Sequence, residues 1–560
     1  MRYTASWRRA VLAFARSTHP CAKSAKGWGT RLRMTILGVC VISALMLAMV
    51  GCHGARQEAG TVVVVLESSP NNLDPRQGTD AQSEHVGGLI FDALVKKDQN
   101  YNLKPWLATS WEQPDALTWV FHLRDGVRFQ DGRPLEAADV MWTIESLMDS
   151  KLAGLITAKS GAFAAVDRME ARDRLTVVVH MKRPDAGLLF NMSDGLFGVV
   201  PRGAGSDFGL HPVGSGPFRF VSQAQDKEVV LEKFDGCWSE RAQGTENREQ
   251  NDGEKIRRLR FEVVPDTITS ALELQKGSAD AASNMLTLDM VYGLRDAPGL
   301  ETASGPGSNV WYLNFNVADP ALKDKRVRQA VALATDRESI VAALWRGHAR
   351  LADTLLPKGE WAAAADAQLA QYPHDPGRAA KLLEEAGYPA RDGVRLRLTL
   401  KISQDETARL LAAVLQQQLR AAGIELQIRS AEFGTFYADV THGAFQMYIL
   451  KWIGSNEDPD IYRYMYSSGS FPPKGANRGH YVNARVDALL AKAAAESGPE
   501  AEVRTRREMD YDEIQAILSD ELPTIPLWFP DNVVVHTRRL QGVVSHGDGN
   551  FDFLRDAWVR

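Results

Sequence analysis

Cysteine is scarce in this chain: four in 560 residues, at Cys21, Cys40, Cys52 and Cys237. So few, so widely spaced, make no disulfide framework. Stability has to come from an ordinary apolar core, which a chain of this length can build in two or more lobes. An excess of one charge is also missing. Lys and Arg number 65 against 70 Asp and Glu, a net charge of -5, and no basic stripe speaks for nucleic acid. Beyond one apolar stretch near the start there is no second long hydrophobic run, so the chain is not itself a channel. The motifs of covalent and phosphoryl chemistry are absent: no G-x-S-x-G elbow, no H-E-x-x-H helix, no P-loop and no C-x-x-C. The twelve histidines are scattered, none two or four residues from another. A metal site built from sequence-local ligands is therefore not expected, nor any cofactor. Internal repeats and low-complexity tracts are lacking as well.

What is present begins with an export signal. Arg31 and Arg33 precede an uncharged, mostly apolar stretch from Met34 to Gly51, which closes on Met49-Val50-Gly51-Cys52. A basic flank, an apolar run and small residues before a cleavage point make a signal peptide, here residues 1–51 with Met34 as an alternative start. A cysteine directly after that point predicts a lipoprotein, with Cys52 diacylated and 52–60 a tether; the alternative is an uncleaved anchor. The body is placed outside the cytoplasm, in the periplasmic space, held to the membrane by its lipid. Cys237 then remains alone in the mature chain and reads as an inert core residue.

The mature chain alternates strands and helices. Thr61–Leu66 is a continuous apolar run, as in a strand buried on both faces. It opens onto the polar loop Glu67–Asn72, with Ser69, at the carboxyl end where ligands bind in open α/β sheets. In Thr118–Leu135, Trp119, Phe121 and Leu123 alternate with Val120, His122 and Arg124, a strand with one packed face. Asp125-Gly126 and Asp131-Gly132 are turns, and Val140, Ile144, Leu147 and Met148 then follow helical spacing. Further on, Leu259–Val264, Trp311–Asn316 and Ile424–Ile428 read as strands. Helices are predicted over Thr267–Gln275 before Gly277, after Asp324, from Asp375-Pro376 to Gly387, and along Leu411, Leu415 and Leu419 to Gly423. Helix, glycine and strand in succession predict βαβ units, an α/β fold and a largely parallel sheet. Ser239–Glu254 reads as a surface insertion.

The wording of several blocks says more. Leu73-Asp74-Pro75, Phe91-Asp92-Ala93-Leu94, Pro105-Trp106-Leu107-Ala108 with Trp111, and Thr118–Leu135 occur in this order along the chain. They are followed by Pro212–Phe218, Asp324–Ala330 with Asp336-Arg337, Trp452 with Asp458-Pro459-Asp460, and Leu522–Leu527. In content and order this resembles the family 5 extracellular solute-binding proteins, the dipeptide, oligopeptide and nickel-binding components of bacterial ABC importers. The resemblance implies a two-lobed periplasmic-binding-protein fold of type II with a hinge. Lobe I would span 61–309 with an extra subdomain at about 95–192, lobe II 310–520, and 521–560 would return to lobe I. It also implies a monomer that binds a peptide or other small solute and hands it to permease and ATPase subunits.

The ligand-binding candidates centre on Lys451–Asp460. Trp452 offers an apolar face, Gly454 lets backbone approach a ligand, and Ser455, Asn456 and Asp458 offer polar contacts. Tyr312, Asn316 and Ser69 complete the set of cleft candidates. Asp458 and Asp460 flank a proline and read as a turn rather than a catalytic pair; no catalytic residue is assigned. Peptide-binding relatives carry an aspartate three residues after the tryptophan, which pairs with the peptide's α-ammonium. This chain has Ser455 there, and an uncharged Ser cannot neutralise a buried ammonium; Asn456, Glu457 or Asp458 would have to stand in. The leading reading is a peptide receptor of an importer. A longer peptide, an oligosaccharide or a metal chelate stays open as ligand, as does a transporter-independent sensor or chaperone. An exported hydrolase lacks the nucleophile it needs.

Overall fold

The computed structural model of the chain describes residues 59–78, 80–155, 157, 159–195, 197–239, 254–453 and 457–560. Cys52, Gly454, Ser455, Asn456 and most of the insertion at 239–254 therefore lie outside the described residues.

Thr61–Leu66 is buried at every position, because it runs parallel between Arg258–Val263 and Ala281–Ser283. Glu228–Lys233 and Phe218–Ala224 extend that sheet antiparallel on one side. On the other side lies Thr524–Thr537, fourteen residues long. Its second half pairs with Ala281–Ser283 and Leu300–Pro306. Its first half pairs with Val310–Phe315 and Ala349–Leu351. From Val310–Phe315 the sheet continues through Met447–Trp452 to Leu396–Ser403 and Ile424–Ala431. One strand thus belongs to both lobes.

The sheet is mixed, not largely parallel as the alternation predicts. Helical crossovers supply the parallel pairs, but the shared strand returns against all four of its neighbours, and Phe218–Lys233 closes as a hairpin. Local signals fall where the residue types put them. Asp266, Asp324 and Asp375 cap helices Thr267–Lys276, Lys325–Ala334 and Pro376–Glu385 through their side chains. Leu411, Leu415 and Leu419 of helix Glu406–Arg420 pack on Leu398 and Leu400 of the neighbouring strand.

A separate four-stranded antiparallel sheet stands on lobe I, built from Ala108–Asp115, Thr118–Leu123, Thr176–Met181 and Val166–Asp173. Val140, Ile144 and Leu147 of helix Ala137–Met148 close its core. No helix among the described residues is long and apolar enough to cross a membrane.

The lobes are joined by the shared strand and by the link from Pro306 to Val310, which cross in backbone contact. A Cβ on Gly307 would sit 2.3 Å from the carbonyl oxygen of Pro530. Beside it Ser308 is fully buried, and its N–H donates to Gly547 O at 2.8 Å. Gly307→Ala is expected to cost about 1–3 kcal/mol in urea denaturation, because neither backbone can give way. An unchanged midpoint would show that the crossing is looser than this.

Candidate functional site

Lobe I presents Lys97 at the end of the short strand Val95–Lys97, held in an antiparallel pair with Leu103–Pro105. Lobe II presents Glu457 just ahead of the turn in which Asp460 N–H donates to Asp458 Oδ1 at 2.8 Å. The two side chains meet across the lobes: Lys97 Nζ donates to Glu457 Oε2 at 2.6 Å, and Ser308 of the crossing donates to Glu457 Oε1 at 2.7 Å. Their side chains are 9% and 1% exposed, so water screens this pair little. Burial alone would depress the Lys97 ammonium, but the charges of Glu457, Asp194 and Asp548 overcome it and hold it above the usual lysine range. Asp194, whose Oδ1 accepts the Lys97 N–H at 2.8 Å, is pushed up to about 6 by burial, against the pull of Lys97.

Two chambers meet at Glu457. The first, about 570 Å³, lies between helix Ala81–Ile90 with its flanking loops and Phe433 and Ile453 of lobe II. Phe433 and Ile453 are large apolar side chains left 55% exposed, facing this space. Its floor is a fixed network. Asp92 is buried, and its carboxylate accepts from Trp106 Nε1 (2.9 Å), Trp238 Nε1 (2.9 Å) and Ser215 Oγ (2.8 Å). Arg555 and Lys96 both pair with Asp552, whose carboxyl they hold far below the ordinary range despite burial. His85 edges Phe551 at 5.2 Å, and burial lowers its imidazole.

The second chamber, about 640 Å³, lies between the four-stranded sheet and lobe II. Trp111, Trp119 and Phe190 form one wall, Trp361, Asp458 and Arg507 the other. The walls touch where Arg504 Nη1 donates to Asn102 Oδ1 at 2.9 Å and Ala186 N–H to Ala494 O at 3.1 Å. Asp458 is pushed up to about 6 by burial, opposed by Arg507 at 3.9 Å.

Of the residues the sequence singles out, Asp458 lines the second chamber. Trp452 does not line either: it is half-buried, edge-on to Tyr464 at 6.0 Å, and packs on the core of lobe II. Tyr312 is fully buried against Tyr448, 6.0 Å between rings, because alternate residues of a central strand point into the core. Asn316 Nδ2 donates to Gly443 O (3.2 Å) and Phe445 O (3.0 Å), tying a loop down. Ser69 Oγ accepts from Asp226 N–H at 3.3 Å and lines neither chamber. Cys237 is buried against Ser239, its thiol pushed up by burial. Lys97, Trp111, Trp119, Trp361 and Arg507 escape a reading of the sequence as site residues, although Trp111 and Trp119 lie in blocks that carry the resemblance.

A two-lobed α/β body, crossed twice and enclosing chambers between its lobes, defines a solute-binding protein. The signature of the bacterial extracellular solute-binding proteins, family 5, matches residues 102–472, and the chain belongs to that family. It is the extracytoplasmic substrate-binding component of an ABC importer. The glutathione-binding protein GsiB of Salmonella paratyphi A is 29% identical over 509 residues, 88% of this chain and 94% of that one. The GsiB of Shigella boydii is 27% identical over 527 residues, 92% and 97% of the two chains. Among solved structures, NikZ from Campylobacter jejuni in complex with Ni(L-His) is 25% identical, with a TM-score of 0.72 over 90% of this chain and all of that one. The oligopeptide-binding protein AppA from Bacillus subtilis, in complex with a nonapeptide, gives 0.73 at 23% identity, covering 89% and 99%.

Proposed function

We propose that this protein captures short peptides, or a peptide-like solute such as glutathione, in the two chambers that meet at Glu457. The carrying observation is the buried Lys97–Glu457 pair, which joins the lobes at the boundary of both chambers. Aromatic walls beside buried ions of both signs suit a zwitterion with apolar side chains better than an uncharged sugar. The curated relatives bind glutathione, itself a peptide, and AppA holds a nonapeptide. An amino terminus arriving at Glu457 would have to share it with Lys97, so recognition of that terminus is not by a lone acid. Calorimetry with glutathione, trialanine and maltotriose tests the reading. Binding of one of the peptides is expected; binding of maltotriose alone would overturn it.

Attachment to the membrane of the periplasmic space through Cys52 belongs to the same proposal, supported by Met49-Val50-Gly51-Cys52 after an apolar run. Diacylation supplies two chains, where a single chain holds only marginally. Metabolic labelling with palmitate should mark the wild type and not Cys52→Ala. Equal labelling of the two proteins would sink the lipid anchor.

A further inference from the structure

The seam between the lobes is acidic on both sides. Asp185 lies in the loop after strand Thr176–Met181 of lobe I, and the N–H of Ala186 next to it donates to Ala494 O of lobe II at 3.1 Å. Across the seam stands the turn Asp458-Pro459-Asp460. Gly187 shows how near the two come: a Cβ there would lie 3.3 Å from Asp185 Oδ1 and 3.9 Å from Asp460 Oδ2. Asp185 and Asp458 are 9% and 6% exposed. Each accepts a backbone N–H, Asp185 from Gly187 at 3.1 Å and Asp458 from Asp460 at 2.8 Å. Among the described residues, neither has a cation within hydrogen-bond distance. The cations nearby are engaged elsewhere. Arg463 holds both oxygens of Asp460, and Arg507, 3.9 Å from Asp458, also serves Asp460 and Glu360. Lys492 is taken by Asp510, Arg504 by Asn102 and Lys97 by Glu457, while Arg183 on the loop of Asp185 is exposed. Burial raises both carboxyls, and neighbouring charge adds to it. Asp460 acts on Asp185, and Asp460 and Asp185 act on Asp458, which reaches about 6 against the pull of Arg507.

We propose that Asp185 and Asp458 form a proton-operated gate on lobe closure: the lobes shut more readily in acid, and like charges across the seam oppose closure as pH rises. Parting the lobes returns the carboxyls to water and toward the ordinary aspartate value of about 3.9. The closed value lies above the open one. The contribution to closure is therefore complete below the open value and is lost as pH rises through the closed one, a window of about pH 4 to 7. With a closed value of about 6, closure is favoured about tenfold more at pH 5 than at pH 7.5. Lys97 stays charged throughout this window, so its pair with Glu457 holds the lobes by a separate means. The gate acts on any solute the lobes close upon, and it does not depend on the peptide reading.

Hydrogen exchange of the ligand-free protein reads closure at Ala186, whose N–H is tied across the seam. Its protection, corrected for the intrinsic exchange rate at each pH, should be about tenfold greater at pH 5 than at pH 7.5. The double variant Asp185→Asn, Asp458→Asn keeps an oxygen to accept each backbone N–H and removes both titrations. Its protection at the two pH values should agree within about threefold, and at pH 7.5 it should rise to the level of the wild type in acid. Asp185→Asn alone should move the same way in part, and it carries the test should the double variant not fold. Equal protection of Ala186 at both pH values in the wild type would overturn the gate. So would a pH dependence that survives the substitutions undiminished.

Discussion

Glu457→Gln is expected to lower the unfolding free energy by about 3–5 kcal/mol, because it leaves the Lys97 ammonium buried without its charged partner. Lys97→Met should cost a similar amount, stranding Glu457 with only the Ser308 hydroxyl. Removing both charges together should cost less than the two single changes summed, since the pair is the interaction being removed. Urea denaturation of the three variants measures this. Additive losses, or single losses below about 0.5 kcal/mol, would show a pair of the kind that contributes nothing at a surface. The same single variants should be less compact in small-angle scattering, because the pair spans the lobes. Its pH behaviour follows from the direction of the Lys97 shift. A lysine held above its ordinary value contributes stability that is complete below pH about 10.4 and is lost only as pH rises beyond that. The latch is therefore insensitive to pH near neutrality.

The blocks that make the family legible in the sequence turn out to be mostly scaffold. Asp74 of Leu73-Asp74-Pro75 holds the buried Arg76 by two bonds of 2.9 and 2.7 Å. Asp92, Trp106 and Ser215 come from three separate blocks and meet in one network. Arg328 of the Asp324–Ala330 block reaches the carbonyls of Glu521 and Leu522 at 2.9 and 3.0 Å, just before the return strand. Buried polar groups need particular partners, which is why such residues are written recognisably into short motifs. Helix caps were legible for a similar reason, since Asp at the cap and Gly after the end act within a few residues.

The site was much less legible. Lys97 and Glu457 are separated by 360 positions, and neither carries a local signal. Arg507 sits on helix Glu500–Glu521, whose apolar and charged residues follow no clear stripe. Trp452, with an apolar face and a polar loop after it, read as a cleft residue. Yet strand alternation and the neighbouring Tyr464 turn its ring onto the core of lobe II. The largely parallel sheet failed for a topological reason. Periodicity tells strand from helix, but not the direction in which Thr524–Thr537 returns through both lobes.

Glu360 supplies the second large effect, and with it a pH dependence. Its side chain is buried, Oε2 accepts the Ala362 N–H at 2.7 Å, and Oε1 has no partner among the described residues. Burial pushes its carboxyl up to about 8; Asp458 adds to that, while the Ala362 N–H, Arg507 and Arg504 work against it. A carboxyl whose folded value lies above its unfolded value of about 4.3 keeps its proton longer in the native state. As pH rises from that value toward 8 the unfolded state ionises first, so stability falls across the window and levels off above it. The full penalty is of order 5 kcal/mol, of which about 1 kcal/mol is already lost by pH 5. Glu360→Gln keeps an acceptor for Ala362 and removes the titration. It should lie within about 1 kcal/mol of the wild type at pH 5 and exceed it by roughly 4 kcal/mol at pH 9. A stability difference between the two proteins that does not widen from pH 5 to pH 9 would show that Glu360 is already ionised in the folded state.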